Sequence, residues 1–284
     1  MFAVGKDFMQ AIRIGSGVVG LSVLASSVAL ATPVFTDSME NPIGTLTSNI
    51  KPIQMGVAFD GSNYWVASGA LGQSPTLGKL SSAGTSLATY PDAPDLRSLT
   101  MFNGQLYAYV AGTLRPVHAD GTVSSATILL ATPANNPTLP QSLDKVVFDG
   151  NYFISRSYST IQRWTTTGED AGSVSLSGYL NKDSNGNGHS SIAAGNGLWF
   201  TYAVNGELSA WDPSTGQRLD TTILNGAGNG DRDPFSLSFA NGNIYVSTDA
   251  NSANSTYNVY AAPEPTGIAL LGLGLLTLRR RRRA

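Results

Sequence analysis

Short apolar segments alternate with polar turns through the middle of the chain, and the pattern repeats. Each copy has a short apolar segment, a turn ending in glycine, and a second segment rich in aromatic and β-branched residues. The turn glycines are spaced 43, 46, 47 and 45 residues apart and are Gly61, Gly104, Gly150, Gly197 and Gly242. Asp-Gly and Asn-Gly pairs are preferred in two-residue hairpin turns, because Gly and Asn accept positive φ at little cost. The pattern predicts one such hairpin per repeat.

A second hairpin pattern follows each of the first four. It has a strand, a polar turn containing glycine and another strand, over residues 77–90, 114–129, 161–176 and 208–224. Four short strands in a unit of about 45 residues are typical of a propeller blade. We therefore predict an all-β domain, a β-propeller of about five four-stranded blades. An open stack of hairpins, or a larger ring with one further blade, is the alternative.

The fifth repeat lacks its fourth strand before the chain reaches its C-terminal segment. The segment Ile43–Ser48, near the start of the chain, has strand character and is predicted to supply it. Closing the ring in this way removes the open edges of the last sheet.

Aromatic residues recur at one place in each repeat. They are Tyr64, Trp65, Tyr107, Tyr152, Phe153, Trp199, Phe200 and Tyr245. Recurrence at the blade period predicts packing between blades, and only polar-facing members could line a sugar-binding surface.

Composition narrows the class of protein further. Only 13% of the 284 residues are charged and there is no cysteine, which excludes disulfides and thiolate chemistry. Residues 32–262 carry ten basic and seventeen acidic side chains, a net charge near −7. An acidic body does not attract phosphate backbones, so no nucleic-acid partner is expected.

The N-terminus has the pattern of a secretory signal peptide over residues 1–31. Lys6 and Arg13 precede an uncharged run, Ile14–Leu30, which ends in the small-x-small pattern of Ala29 and Ala31. Signal peptidase cleaves after such a pattern, so we expect cleavage after Ala31. A retained anchor helix is the alternative, since the run approaches spanning length.

The C-terminal residues 263–284 combine three parts in order. A Pro-Glu-Pro motif precedes the apolar run Gly267–Leu278, and a basic tail follows; the residues concerned are Pro263, Glu264, Pro265, Arg279, Arg280, Arg281, Arg282 and Arg283. We expect the twelve apolar residues to form a short helix, as we expect of the apolar run in the signal peptide. Twelve residues are short for a membrane-spanning helix, and the arginines are expected to act as a positive-inside stop. This arrangement resembles the PEP-CTERM sorting signal of Gram-negative bacteria.

That resemblance implies a route and a destination. Proteins with this signal are exported, held transiently in the inner membrane, cut near the motif by exosortase, and released or attached at the cell surface. They are common in bacteria that make exopolysaccharide and a biofilm matrix. An ordinary C-terminal anchor, or an amphiphilic tail folded onto the body, is the alternative.

Candidate chemistry is sparse in the body of the chain. No Gly-x-Ser-x-Gly elbow, zinc motif, Walker loop or dinucleotide fingerprint is present. Asp183, Asn185 and Asn187 match the first half of a calcium loop, but the twelfth position is Ala194 instead of an acidic residue. Weak calcium binding and an ordinary polar turn both remain open.

Two functions from different classes follow. The first is a non-enzymatic binding or structural module, with exopolysaccharide as its partner, whose long acidic loops form a rim on one face. The second is a propeller-fold carbohydrate-active hydrolase, which needs two carboxylates about 5 to 10 Å apart. Asp60 and Asp149 correspond to Asn103, Asn196 and Asn241 in the other repeats, which indicates turn chemistry rather than catalytic acids.

Overall fold

The computed structural model describes most of the repeat region. The described residues are 33–48, 50, 54–68, 76–91, 93–96, 98–134, 145–179, 192–203, 205–227, 237–247 and 255–264. The predicted signal peptide, with Ala29 and Ala31, lies outside them. So do the predicted C-terminal helix and the arginine tail.

The described residues form twenty strands and one short 3₁₀ turn, Asp37–Glu40. In chain order, the first strand is β1 (Gly44–Ser48), which belongs to the last blade. Blade 1 follows with β2 (Gln54–Phe59), β3 (Asn63–Ser68), β4 (Thr76–Ser81) and β5 (Ser86–Pro91). Blade 2 contains β6 (Ser98–Phe102), β7 (Gln105–Val110), β8 (Thr113–Pro116) and β9 (Ile128–Leu129).

The remaining three blades have the same order of strands. Blade 3 contains β10 (Val146–Phe148), β11 (Phe153–Ser157), β12 (Thr160–Trp164) and β13 (Asp170–Ser175). Blade 4 contains β14 (Ala193–Gly195), β15 (Leu198–Tyr202), β16 (Glu207–Trp211) and β17 (Arg218–Ile223). Blade 5 contains β18 (Ser238–Ala240), β19 (Asn243–Ser247) and β20 (Ser255–Ala261), followed by β1 as its outermost strand.

The five sheets close into a ring. Their innermost strands, β2, β6, β10, β14 and β18, contact one another in cyclic order, and every strand pair within a blade is antiparallel. β1 pairs with β20 from Gly44 opposite Val259 to Ser48 opposite Ser255. The predictions of a five-bladed propeller, and of a fourth strand supplied by Ile43–Ser48, are confirmed.

The antiparallel order gives the ring two distinct faces. Turns between the first and second strands, and between the third and fourth, lie on what we call the hairpin face. Loops between the second and third strands, and connections between blades, lie on the crossover face. β20 ends at Ala261 on the hairpin face, so the chain leaves the propeller there.

The inner turns on the hairpin face are of two kinds. Asn103, Asn196 and Asn241 have φ of +49°, +54° and +47°, and each forms the centre of a two-residue turn with the glycine after it. The Asp-Gly pairs differ from expectation, because the turn lies one residue later. The N–H of Asp60 donates to the carbonyl of Asn63 (3.0 Å), and that pair encloses Gly61 and Ser62. The Asp precedes the turn instead of forming its centre.

The outer turns carry the contact that holds neighbouring blades together. In four blades a glycine with positive φ lies against the outermost strand of the preceding blade: Gly84 on Leu46, Gly121 on Tyr90, Gly168 on Leu129 and Gly216 on Ser175. The Ala131 N–H also donates to the Gly168 carbonyl (2.8 Å) across this contact. A side chain at Gly121 would overlap the Tyr90 ring, and one at Gly168 the Leu129 carbonyl. These turns therefore require glycine for its size as well as for its φ.

Blade 5 has no such turn, because its third and fourth strands, β20 and β1, are not consecutive in the chain. The N-terminal segment takes that place on β17 of blade 4. The Phe35 N–H donates to Asp220 Oδ2 (2.9 Å), and Thr222 Oγ1 donates to Glu40 Oε1 (3.0 Å). Phe35 is buried against Phe200 with ring centroids 6.5 Å apart.

The hydrophobic core consists of five clusters, each lying between two adjacent blades. Most of the recurring aromatic residues lie in these clusters, and Trp65, Phe153, Trp199, Phe200 and Tyr245 are each at most 2% exposed. The prediction that the aromatic repeat serves packing between blades is confirmed.

Two glycine substitutions separate the size requirement from the φ requirement. Gly168→Ala adds a Cβ that overlaps the neighbouring blade, whereas Gly172→Ala, at φ +78°, meets nothing within 4 Å. We expect Gly172→Ala to lower the free energy of unfolding by about 1 to 2 kcal/mol through the left-handed backbone alone. Gly168→Ala should lower it by about 3 kcal/mol or more. Equal losses in urea unfolding would contradict the contact.

Candidate functional site

The centre of the ring contains a cavity of about 220 Å³. It is lined by residues of all five innermost strands, mostly apolar, including Val57, Leu99, Val147, Ala193 and Phe239. No carboxylate is present among the described residues that line it. The lining side chains are therefore mostly apolar, but the cavity also exposes polar backbone and side-chain groups.

Serine and threonine hydroxyls connect the innermost strands across the blade boundaries. The Ser98 hydroxyl donates to the Val146 carbonyl (2.7 Å) and accepts from the Val146 N–H (3.0 Å). The N–H of Phe148 donates to Thr100 Oγ1 (2.8 Å), and that of Val57 to Ser238 Oγ (3.0 Å). These bonds satisfy backbone groups of short strands that have no sheet neighbour on the cavity side.

Lys145 is a buried charged side chain that joins two blades near the centre of the ring. It precedes β10 of blade 3, is 1% exposed, and its ammonium donates to the Leu237 carbonyl and to Ser238 Oγ (3.1 Å) of blade 5. None of its hydrogen-bond partners among the described residues is a carboxylate. Burial without a counter-charge lowers the pKa of Lys145 to about 7.

Asp60 and Asp149 stabilise turns, as the exchange of Asp and Asn between repeats indicates. Asp60 Oδ1 accepts the N–H groups of Ser62 and Asn63, and Asp60 Oδ2 accepts the indole N–H of Trp65 (2.7 Å). Burial by itself raises the pKa of Asp60, but these hydrogen bonds outweigh it and hold the pKa below the ordinary value of 3.8. A general acid in a glycosidase needs a raised pKa, so Asp60 does not fit that role.

The predicted site residues fall into two groups. Asp183, Asn185, Asn187, Pro265 and the five arginines lie outside the described residues, as does most of the predicted acidic rim on the crossover face. Pro263 and Glu264 are described. Pro263 is buried and its carbonyl accepts a hydrogen bond from Asn196 Nδ2 (2.7 Å), whereas Glu264 is exposed.

The described residues contain neither a candidate metal site nor a candidate membrane span. Within them no group of three or more His, Cys, Asp or Glu side chains is placed to hold a metal ion. In the same part of the chain, no helix is both long enough and apolar enough to cross a membrane.

A polar groove of about 400 Å³ lies on the hairpin face between blades 1 and 2. We call it the blade 1–2 groove. Blade 1 contributes its inner turn, Trp65 and Lys79, and blade 2 contributes Gln105 and the outer turn that starts at His118. The Lys79 ammonium lies 4.8 Å from the centre of the Trp65 ring and 3.4 Å from the Ala119 carbonyl.

His118 is exposed and lines the blade 1–2 groove. The sequence does not predict the groove, because its residues come from four separate segments of the chain and no motif joins them.

The comparisons with known proteins agree with the architecture. No family model matches the chain, and the search of curated proteins found no match. Among solved structures, the chain is similar to glutaminyl cyclase from Myxococcus xanthus, with a TM-score of 0.52 and 12% identity over 77% of this chain and 95% of that one. It is also similar to a protein of unknown function from Bacteroides thetaiotaomicron, with a TM-score of 0.46 and 10% identity over 80% and 75% of the two chains. The likeness to the cyclase shows the propeller fold.

The buried Lys145 makes stability depend on pH. Between pH 7 and about 10 the unfolded chain keeps a proton on this lysine that the folded chain has lost, so the free energy of unfolding should rise with pH. The slope approaches about 1.4 kcal/mol per pH unit for one proton. Urea unfolding from pH 7 to 9.5 measures it.

Lys145→Met is the matched variant, because it keeps the apolar stem and removes the amine. Its unfolding free energy should exceed that of the wild type at pH 7, and the difference should shrink as the pH rises. Parallel pH curves for the two proteins would contradict the assignment.

Proposed function

We propose that the protein is an exported cell-surface or extracellular-matrix protein of a Gram-negative bacterium. In this proposal it is processed at a C-terminal PEP-CTERM signal, and its propeller is a binding module for exopolysaccharide. Signal peptidase and exosortase act on it during export, and its association with the inner membrane is transient. The observation that carries the proposal is the order of motif, apolar segment and arginine block after the last strand.

The fold is compatible with cleavage at the motif. β20 ends at Ala261, and every strand of the propeller precedes Pro263. Removal of the residues after Pro265 therefore leaves all five blades and the pairing of β1 with β20 intact. The same reasoning applies to the N-terminus, because the first buried contact of the described chain is made by Phe35, which follows the expected cleavage point after Ala31.

Binding accounts for the described sites better than hydrolysis does. A hydrolase would need a pair of carboxylates at the centre of the ring, and the described lining of the cavity has none. Asp60 is ionised and bonded to its own turn. The activity of the cyclase from Myxococcus xanthus is not transferred, since 12% identity supports the fold alone.

Mass spectrometry of the protein recovered from the cell surface or medium tests the processing. The mature chain should begin at Thr32 and end near Pro265. A chain in which Arg279–Arg283 are replaced by serine should remain uncut, because the stop that holds the tail in the membrane is lost. Surface material with an intact arginine run would overturn the proposal.

A further inference from the structure

The propeller repeat allows the blade 1–2 groove to be compared with the four other boundaries on the hairpin face. At the boundary of blades 2 and 3, the space that corresponds to the groove is filled by the rings of Phe102, Phe148 and Phe153, whose centroids are 4.9 to 5.3 Å apart. At the boundary of blades 5 and 1, the hydroxyl of Tyr64 is bonded to Asn241 Nδ2 and to the hydroxyl of Tyr245, each at 3.0 Å. Both of these boundaries are closed by side chains.

The other two boundaries are also bridged. At the boundary of blades 3 and 4 the indole N–H of Trp199 donates to Asp149 Oδ2 of the neighbouring blade (3.0 Å). At the boundary of blades 4 and 5 the inner turn of blade 4 is bonded to the C-terminal segment, through Asn196 and the Pro263 carbonyl.

Between blades 1 and 2 the carboxylate that corresponds to Asp149 is Asp60, and it is used differently. Asp60 accepts the indole N–H of Trp65, which belongs to its own blade. Among the described residues, no side-chain hydrogen bond joins the Asp60 turn to the Gly104–Gln105 side of blade 2. The outer end is closed by Lys79 and Tyr90, both bonded to the Ala119 carbonyl at 3.4 Å. The result is a cleft with a rigid floor rather than a filled boundary.

The floor is held in place by packing. Trp65 is 2% exposed and stacks on the Tyr90 ring, with centroids 6.1 Å apart and planes 17° apart. Gly121 of blade 2 lies directly against the Tyr90 ring. The aromatic pair and the outer turn of blade 2 thus hold the part of the groove that Lys79 and His118 line.

The polar groups that line the groove include both donors and acceptors. Gln105 uses its amide N–H groups on the Leu106 (3.0 Å) and Val117 (2.7 Å) carbonyls, which leaves its Oε1 as an acceptor. Lys79 makes one long hydrogen bond and has further N–H groups to donate. Ser62 and His118 each add a side chain that can donate or accept.

We propose that the blade 1–2 groove binds one sugar unit of a polysaccharide. Sugar hydroxyls donate and accept at once, which matches the mixed set presented by Ser62, Lys79, Gln105 and His118. A volume of about 400 Å³ accommodates a single ring, and the groove opens to solvent so that a chain can continue on either side. This site rests on the proposed function and names its ligand class and position. It lies on the opposite face from the acidic loops that the sequence suggested.

The experiment uses the secreted protein on an array of neutral hexose polysaccharides and uronic-acid polysaccharides, followed by calorimetry with the oligosaccharide that binds. Lys79→Met and His118→Ala remove groups that project into the groove, and each should weaken binding by about tenfold or more, the effect of one lost hydrogen bond to a charged or polar partner. Lys79→Met keeps the apolar stem over Trp65.

Arg163→Met is the matched control. Arg163 lies 5.2 Å from the Tyr152 ring, so it is a cation over an aromatic ring of its own blade, as Lys79 is, but its carbonyl partner at 3.4 Å, Ala171, belongs to the same blade. It should leave binding unchanged. Unfolding curves of all three variants identify any loss that comes from the fold.

Each outcome decides the proposal. Loss of binding in Lys79→Met and His118→Ala, with binding kept in Arg163→Met, supports the site. Full binding in all variants overturns the site and leaves the exported binding module standing. No binding of wild type to any polysaccharide overturns the sugar site, whereas export and processing are judged separately by mass spectrometry.

Discussion

Each blade of this protein is apolar on both faces, so it is stable only between two neighbours. The five core clusters show this directly, because every one of them lies between two blades. A row of such blades would leave two apolar faces exposed at its ends, and only a closed ring covers both. The closure here depends on β1 pairing with β20, which joins the start of the chain to its last blade. The pairing of β1 with β20 is therefore the contact that completes the last blade.

Two further devices fix the distance between blades. On the outside, a turn glycine places backbone directly against the preceding blade, as at Gly121 on Tyr90. At the centre, hydroxyl groups such as that of Ser98 take the backbone bonds that a neighbouring strand would otherwise make. Lys145 of blade 3 also donates a hydrogen bond to Ser238 of blade 5, although burial of its amine is unfavourable for the charged form. The centre of the ring is therefore held by polar bonds and its periphery by close packing.

The periodic features of this fold could be predicted from the sequence. A glycine every 43 to 47 residues, with aromatic residues in register, is enough to give the number of blades and the strands in each. The gap in the fifth repeat, together with Ile43–Ser48, is enough to give the closure. These predictions succeed because every blade must pack against two neighbours, so the same residue pattern recurs in each copy of the repeat. The prediction for the Asp-Gly turns was wrong in detail. The Asp60 carboxylate accepts two N–H groups of its turn, and the turn lies one residue later than predicted.

The candidate site could not be predicted in the same way, because it is a departure from the repeat. The blade 1–2 groove exists because Asp60 is bonded to Trp65 of its own blade, whereas Asp149 accepts the indole N–H of Trp199 from the following blade. Both pairs consist of the same residue types, and the sequence does not distinguish them. Lys145 was equally hidden, because a single lysine before a short strand has the same appearance in sequence whether it faces solvent or the axis.

The same reasoning indicates where function is found in a repeat protein without catalytic motifs. Residues that recur in every blade serve the ring, so they carry little information about a ligand. Residues that break the pattern are not explained by the repeat, and several of them line the blade 1–2 groove on the hairpin face. The other four boundaries are closed by aromatic rings, a hydroxyl pair, an indole–carboxylate bond or the C-terminal segment. The boundary of blades 1 and 2 is instead open above the Trp65–Tyr90 pair and lined by hydrogen-bonding side chains. Those side chains are the ones available to a ligand.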